Sequence, residues 1–494
     1  MLKIPKEQVI RGIRAENPWW EVAPRVRPYA WTLRRRDYFD ALYPRVLATE
    51  PRRATIVLGP RRVGKTVLLH QCIRALLDDG VAPRSIAYLS VDHPLYNGLG
   101  LHELLEHIED AIPRPDGDRL YLFLDEIQYL REWERHLKVL VDARRDVEFV
   151  VSGSAAAALR LKSLESGAGR FTDFLLPPLT FFEYLRLRDL EAELIRPAQN
   201  ERWPHVVDIG ALNDAFFDYI NFGGYPEIAL SSSSRQDPAR YIRSDIIDKV
   251  LLRDLPSLYG IHDVKELNSL FTSIAYNSAQ EISLQGLAQR AGISKATIKR
   301  YIEYLDAAFL IRTVSRVDYA AKHFKREHFF KVYLTNPSLR AGLFTPIDDT
   351  SESAGSSVET AVFAQWFHAD RLDLHYARWK TGEVDIVQLG PVPNRADAGV
   401  RWVAEIKWTN DSARDPRGLK ALYSFCRKHE VADAVVTTVD ITDTATGDDG
   451  FVVRFVPAAV YCYELGKNII RGAVEDVAPR TGSRRESTQT SFDY

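Results

Sequence analysis

The sequence predicts an α/β protein of several domains, organised around a phosphate-binding loop. Three observations predict it. The apolar run Ala54–Leu58 leads directly into Gly59-Pro-Arg-Arg-Val-Gly-Lys-Thr66, and a helix-like run follows from Val67 to Leu77. Apolar strands then alternate with helical segments as far as Pro177, the pattern of a doubly wound parallel sheet with its ligand at the strands' C-terminal ends. A second alternation of strands and helices fills residues 330–470. At 494 residues the chain is too long for a single core.

Strand, Gly-x-x-x-x-Gly-Lys-Thr, helix is the order that makes a phosphate cradle. Gly59 and Gly64 let backbone N–H groups turn toward a polyphosphate, and Pro60, Arg61, Arg62 and Val63 complete the loop. Val67 continues a helix whose positive N-terminal end points at the same place. Lys65 is expected to reach the β- and γ-phosphates of ATP, and the Thr66 hydroxyl to ligate Mg²⁺. The apolar strand Arg119–Glu126 ends in two carboxylates. Asp125 is placed to hold the water shell of Mg²⁺, and Glu126 to polarise the attacking water. The next strand ends in hydroxyls, so Ser152 and Ser154 are both candidates to bond the γ-phosphate or the lytic water. The pattern does not choose between them. A fifth strand is expected near Asp173–Pro177, after Ser166-Gly-Ala-Gly-Arg170.

An apolar fraction of 46% and a charged fraction of 27% describe a soluble globular chain. The formal net charge of -2 excludes a wholesale basic coat, so any polyanion must be met by local patches. Cys72, Cys426 and Cys462 lie too far apart for metal-ligand spacing and are read as buried small hydrophobes in a reducing compartment. No apolar stretch approaches the length of a spanning helix, and the N-terminus has no apolar core of a signal peptide. The expected location is the cytoplasm, with no membrane partner.

Residues 1–53 are basic and aromatic, with Trp19, Trp20, Trp31 and Arg34–Arg36. They read as an arm packed on the core, Arg stems covering apolar surface, in preference to a nucleic-acid contact. Residues 54–179 are the P-loop core and 180–257 a mostly helical segment, in which Tyr225 could stack on adenine or simply pack. Residues 258–329 carry a helix-turn-helix: a helix over Ser283–Ala291, Gly292 at the turn, Ser294 as N-cap, and a second helix over Lys295–Leu305. Lys295, Thr297, Lys299 and Arg300 lie off its apolar face, as a DNA-contacting helix requires. Phe309–Val317 would be a wing strand; such modules also serve as protein contacts, and DNA is the favoured reading. Lys322, Lys325, Arg326 and Lys331 suggest a second basic patch.

Residues 330–477 read as another α/β domain, and the polar tail 478–494 as disordered. Helix Ser357–Phe367 carries Glu359, a strand opens with Gly382-Glu-Val-Asp385, and the next contains Glu405-Ile-Lys407. A strand's period of two turns Glu405 and Lys407 to one face. Asp385 and Glu405, with Glu359, are expected to hold a metal ion, and Lys407 to orient water or offset phosphate charge. Glu383 reads as a surface charge.

Taken in order, Asn17–Trp20, the phosphate loop, Leu124-Asp-Glu126, Ser152-Gly-Ser154, Gly169-Arg170, Leu176–Glu183, Gly223-Gly-Tyr-Pro226 and Arg253-Asp254 resemble prokaryotic AAA-superfamily ATP-binding proteins with a C-terminal PD-(D/E)XK nuclease-like domain of unknown function. The resemblance implies an AAA-type core with a helical lid over 180–257 and a restriction-endonuclease-like fold after the winged helix-turn-helix. It also implies that Arg170 acts as an arginine finger on a neighbouring subunit, hence a homo-oligomer, with Arg253 as the other candidate. Ser stands where AAA relatives commonly carry Asn at the first sensor position. The function expected is an ATPase that binds or remodels DNA, branched or single-stranded, with nuclease activity left open. The alternative is a nucleotide-dependent switch for assembly or signalling whose nuclease-like domain is silent.

Overall fold

Ala54–Leu58 (β1) is buried at every position, as a parallel strand covered on both faces must be. The computed structural model describes residues 4–21, 28–112, 118–153, 169–197, 202–322, 329–369, 372–391, 399–447 and 449–475. In it β1 joins Ile86–Ser90 (β2), Leu120–Asp125 (β3), Val147–Gly153 (β4) and Phe171–Leu175 (β5) in a sheet of order β2-β3-β4-β1-β5. Each neighbouring pair is parallel. The registers pair Leu58 with Gly153 and Ser90 with Asp125, so the loop after β1 and the acidic end of β3 share one edge. The second half of the expected hydroxyl pair, Ser154, lies outside the described residues.

The chain divides into two compact units, residues 1–177 with 470–494, and residues 178–469. In the first, the basic aromatic arm is packed rather than free. Trp19 is buried, and the indole N–H groups of Trp19 and Trp20 both donate to the Ile86 carbonyl, at 3.0 and 2.7 Å. The buried Asn17 amide donates to the Tyr88 carbonyl at 2.8 Å and accepts from the Tyr88 N–H at 2.7 Å, so the arm reads the backbone of β2. Arg36, also buried, donates to the carbonyls of Val63 and Pro177. It ties the phosphate loop to the segment after β5.

The second unit begins with helices. Phe181–Leu187 is closed by a reciprocal capping box between Thr180 and Glu183. A short hairpin, Ile195–Arg196 (β6) with His205–Val206 (β7), precedes Ile209–Phe222, whose N-cap Asp208 accepts from the Ala211 N–H. The Gly223-Gly224 pair permits close approach: a Cβ on Gly224 would fall 2.1 Å from the buried Asn336 amide oxygen. Tyr225, just after it, is fully buried in this unit's core.

A nine-stranded sheet makes up the rest: Glu281–Ser283 (β8), Ile311–Val317 (β9), Phe329–Leu334 (β10), Asp373–Trp379 (β11), Gly382–Gly390 (β12), Gly399–Glu405 (β13), Asp433–Thr438 (β14), Asp443–Thr446 (β15) and Val452–Pro457 (β16). Its order is β15-β16-β14-β13-β12-β11-β9-β10-β8. β9 lies parallel to β11, so one sheet runs across position 329/330. Between β8 and β9 stand Leu284–Ala291, the left-handed Gly292 with φ 67°, and Lys295–Ala307, capped by Ser294. No helix among the described residues is long and apolar enough to cross a membrane.

Candidate functional site

The first candidate site lies where β1 and β3 end. Gly59 and Pro60 are buried, and a Cβ on Gly59 would meet the Leu176 carbonyl at 2.2 Å, so only glycine fits between loop and β5. Arg62 and Gly64 take left-handed backbone, φ 65° and 95°, which curls the loop back before the helix Lys65–Asp78. Val63 anchors the loop from below with no exposure. The buried Lys65 ammonium donates to the carbonyls of Gly59 and Pro60, at 3.0 and 2.8 Å. Arg61 reaches the Tyr129 hydroxyl at 3.4 Å, and Val67 is half-buried beyond the helix start.

Asp125 is the hub. Its carboxylate accepts from the Thr66 hydroxyl at 2.6 Å, from the Tyr88 hydroxyl at 3.1 Å and from the Ser152 hydroxyl. Ser152 is fully buried, and its Oγ also accepts from the Glu126 N–H at 3.3 Å. It positions both acids. Glu126 follows in left-handed backbone, φ 57°, which breaks the strand and turns its carboxylate out of the ladder to accept from the Gln128 amide. Tyr88 went unnoticed in the sequence because nothing local marks one aromatic residue of an apolar strand as facing a carboxylate on the strand beside it. Burial and the Asp125 charge raise its phenol far above its ordinary value.

Thr66 and Asp125 offer two hard oxygen donors in direct contact, a set that suits Mg²⁺. Arg170 stands elsewhere. Its carbonyl accepts from the Ala54 N–H at the start of β1, about 13 Å along the strand from Leu58 by the usual rise per residue. Its guanidinium pairs with Asp142 at 2.9 Å. Arg253 lies in the other unit, in an exposed position on the π-helical turn Val250–Asp254.

The second candidate site is in the nine-stranded sheet. Lys331 and Tyr333 are two apart on β10 and so share a face, above which lies the helix Ala354–Trp366. Lys331 Nζ sits 2.9 Å from Glu359, 2.8 Å from Glu383 and 3.3 Å from Asp385, and the Tyr333 hydroxyl donates to Glu359 at 2.7 Å. Asp385 accepts from the Ile406 N–H at 2.9 Å, which brings it beside Glu405. Lys407 Nζ lies 2.7 Å from Glu405 and 3.5 Å from Asp385. Lys407 itself stands two residues past the end of β13, where its N–H donates to the Thr437 hydroxyl at 2.7 Å. The second Glu405 oxygen is buried without a hydrogen-bond partner. A cavity of about 360 Å³ lined by Glu405, Lys407, Asp411, Asp415 and Leu419 opens beside it.

Burial, reinforced by the Asp385 charge, pushes the Glu405 carboxyl up to about 8 and that of Glu359 to about 7. Asp385 goes the other way: although burial opposes it, Lys331 and Lys407 hold it below its ordinary value. Two expectations are corrected here. Lys331 is not part of a basic surface patch, being 3% exposed and enclosed by carboxylates. Glu383 is not simply a surface charge: it is half-buried and pairs with that lysine as well as with Arg378. Of the rest of the expected patch, Lys322 is exposed, while Lys325 and Arg326 lie outside the described residues. Among the described residues no three His, Cys, Asp or Glu side chains are grouped to hold a metal ion. Of the expected trio, Glu359 and Asp385 share the Lys331 ammonium, while Glu405 pairs with Lys407 beside Asp385.

On the helix Lys295–Ala307, Ile298, Tyr301, Ile302 and Leu305 are buried, while Lys295, Lys299 and Arg300 are exposed and Thr297 half-buried. Lys295 reaches the Gln285 amide oxygen at 3.2 Å and Lys299 is 3.8 Å from Glu303.

Comparison with known proteins bears first on the five-stranded sheet. Residues 51–185 match a family model described as an AAA domain. The chain carries an AAA-type domain. Residues 213–351 match a second model, described as a domain of unknown function. An uncharacterized protein of Haemophilus influenzae is 25% identical over 294 residues, 58% of this chain and 68% of that protein. Another from Methanocaldococcus jannaschii is 25% identical over 348 residues, 69% of this chain and 73% of that one. Among solved structures, the ORC2 protein of Aeropyrum pernix in ADPNP and ADP complexes has a TM-score of 0.35 and 15% identity, with 62% of this chain and 91% of that chain covered. AMPPCP-bound DnaA from Aquifex aeolicus has a TM-score of 0.26 and 12% identity, covering 54% and 86%.

Proposed function

We propose that the AAA-type domain binds and hydrolyses ATP, and that the protein couples this turnover to action on DNA. The observation that carries the first half is the 2.6 Å contact between Thr66 and Asp125 at the mouth of a glycine-bounded loop. In this reading the loop N–H groups and Lys65 hold the phosphates. To do so Lys65 exchanges the Gly59 and Pro60 carbonyls for phosphate oxygens, a better partner for a buried ammonium. Thr66 and Asp125 would hold Mg²⁺, which would supply positive charge to offset that of the phosphates. Glu126 orients and deprotonates the attacking water, while Ser152 and Tyr88 keep Asp125 aimed at the loop. Arg170 sits at the wrong end of β1 to serve its own phosphate loop, so any finger role belongs to a homo-oligomer interface, after release from Asp142.

For DNA, the exposed Lys295, Lys299 and Arg300 on a helix with a buried opposite face support a winged helix-turn-helix reading of residues 258–329. Residues 330–477 are read as a nuclease-like domain from the convergence of Glu359, Asp385, Glu405 and Lys407. The enclosed Lys331 favours the version of this reading in which that domain is silent and the ATPase acts as a nucleotide-dependent switch. The deciding experiment is ATP turnover titrated with single-stranded, duplex and branched DNA at several salt concentrations. Stimulation that weakens steeply with salt is expected, as phosphate contacts require. Turnover indifferent to all three DNAs leaves the switch reading alone.

A further inference from the structure

Lys331 is a charged side chain almost wholly removed from water, a state tolerated only with close counter-charges. Its ammonium has three of them: Glu359 from a helix, and Glu383 and Asp385 from β12. Oxygens from two different elements thus converge on one point, the geometry a hard cation would demand, and the point is filled by Nζ. The approach is prepared from the β10 side as well. Tyr333, two residues on, binds the same Glu359 oxygen from the same face, and the Tyr376 ring lies 5.4 Å from the ammonium. A bivalent ion at this place would sit within a few ångströms of a fixed positive charge, and the repulsion in so buried a setting is severe. Glu359 and Asp385 are thus held by an ammonium, and Glu405 is held by a second one, Lys407.

We infer that Lys331 is a built-in cation that occupies the metal position of the carboxylate site, so that the wild-type site takes no divalent ion and opens to one only when Lys331 is withdrawn or replaced. The inference rests on the nuclease-like reading of residues 330–477 given above. It specifies what regulates that site: an ammonium delivered by β10, the strand that runs antiparallel to β9 and β8 beside the helix-turn-helix. Glu405, whose second oxygen has no partner, is the ligand left waiting on the far side of Asp385. Any movement of β10 relative to β12 would move the cation out of its seat.

The experiment uses the nucleotide-free full chain and Mn²⁺ alone as probe, read by electron paramagnetic resonance of the free ion. The counterpart Asp385→Asn isolates this site from any other. Wild type is expected to bind no Mn²⁺ that Asp385→Asn removes. Lys331→Met is expected to gain one such site, tighter than wild type by at least about tenfold, and to lose it in Lys331→Met/Asp385→Asn. Because Lys331→Met leaves buried carboxylates unpaired, Lys331→Met/Glu359→Gln, which removes one charge of each sign, is measured beside it, with folding checked by circular dichroism. Asp385-dependent Mn²⁺ binding by wild type as tight as by Lys331→Met would overturn the inference while leaving the carboxylate site intact, and this arm needs only the unaltered protein and Asp385→Asn. Folded Lys331 variants that bind nothing would overturn both the inference and the nuclease-like reading.

Discussion

Asp125 shows how one residue's surroundings assign its work. Three hydroxyls, from Thr66, Tyr88 and Ser152, converge on its carboxylate, whereas the neighbouring Glu126 is swung out by a left-handed backbone turn. In the proposed reading, holding phosphate and activating water therefore fall to different groups. Lys65→Ala should lose ATP affinity by at least about tenfold, since a charge-assisted contact disappears. Glu126→Gln should keep binding and lose about 10²–10⁴ in turnover, the usual worth of a positioned base. Nucleotide titration beside a phosphate-release assay separates the two, and unimpaired turnover by Glu126→Gln removes the assigned base. In the second unit the raised carboxyl of Glu405 carries a pH signature. Its folded-state value, about 8, lies above the ordinary 4.5, so the folded chain keeps a proton that the unfolded chain has released. The associated stability is complete below about 4.5 and is lost as pH rises through about 8. Thermal unfolding followed from pH 5 to 9 should show Tm falling in the wild type and a flatter profile in Glu405→Gln.

At the scale of elements, the helix Lys295–Ala307 is amphipathic in a way that separates its tasks. Ile298, Ile302 and Leu305 hold it to the unit, so replacing the exposed Lys299 and Arg300 leaves folding untouched. Lys299→Glu/Arg300→Glu should reduce DNA affinity about tenfold or more at moderate salt and lower the salt slope by about one to two, one for each phosphate no longer neutralised. Fluorescence anisotropy across a salt series measures both. Unchanged anisotropy would assign the helix to a protein partner. The phosphate loop is likewise an element-level device: Gly59 under the Leu176 carbonyl, left-handed Arg62 and Gly64, and Arg36 clasping Val63 hold a conformation no single residue prefers.

For the whole molecule, the position of Arg170 makes the proposal of a homo-oligomer testable. It lies at the N-terminal end of β5, at the far end of the sheet from the loop, and is paired with Asp142. If it serves a neighbouring copy, Arg170→Ala binds ATP normally yet turns over slowly, by about 10³-fold or more. Mixing it with Lys65→Ala should then restore part of the turnover, because mixed interfaces join an intact loop to an intact finger. Mixed oligomers verified by light scattering that recover nothing would leave Arg170 as a structural ion pair. The arm offers a counterpart at this scale. Asn17, Trp19 and Trp20 place their polar atoms on the β2 backbone, which accounts for the Asn-Pro-Trp-Trp stretch as packing.

By itself the sequence determined the parts whose chemistry is local. The strand, the Gly-bounded loop and the helix after it are consecutive in the chain. So are the apolar run ending in Asp125 and Glu126, and the helix pair hinged on Gly292; their caps, periods and glycines are readable within a few residues. That Asp385, Glu405 and Lys407 would be neighbours was also legible, because successive strands carried them in order; Glu359 reaches Asp385 only through Lys331. What only the tertiary structure decided was who stands between them. Lys331 looked like one more surface cation, since alternation along Phe329–Leu334 says which residues share a face but not which face is covered. That is set by the pairing of β10 with β9, of β9 with β11, and by the helix laid across them, contacts between residues tens of positions apart. The same holds for Ser152 and Tyr88, whose hydroxyls find Asp125 only once β2, β3 and β4 lie side by side. A buried charge is defined by its neighbours in space, and those neighbours are chosen by register.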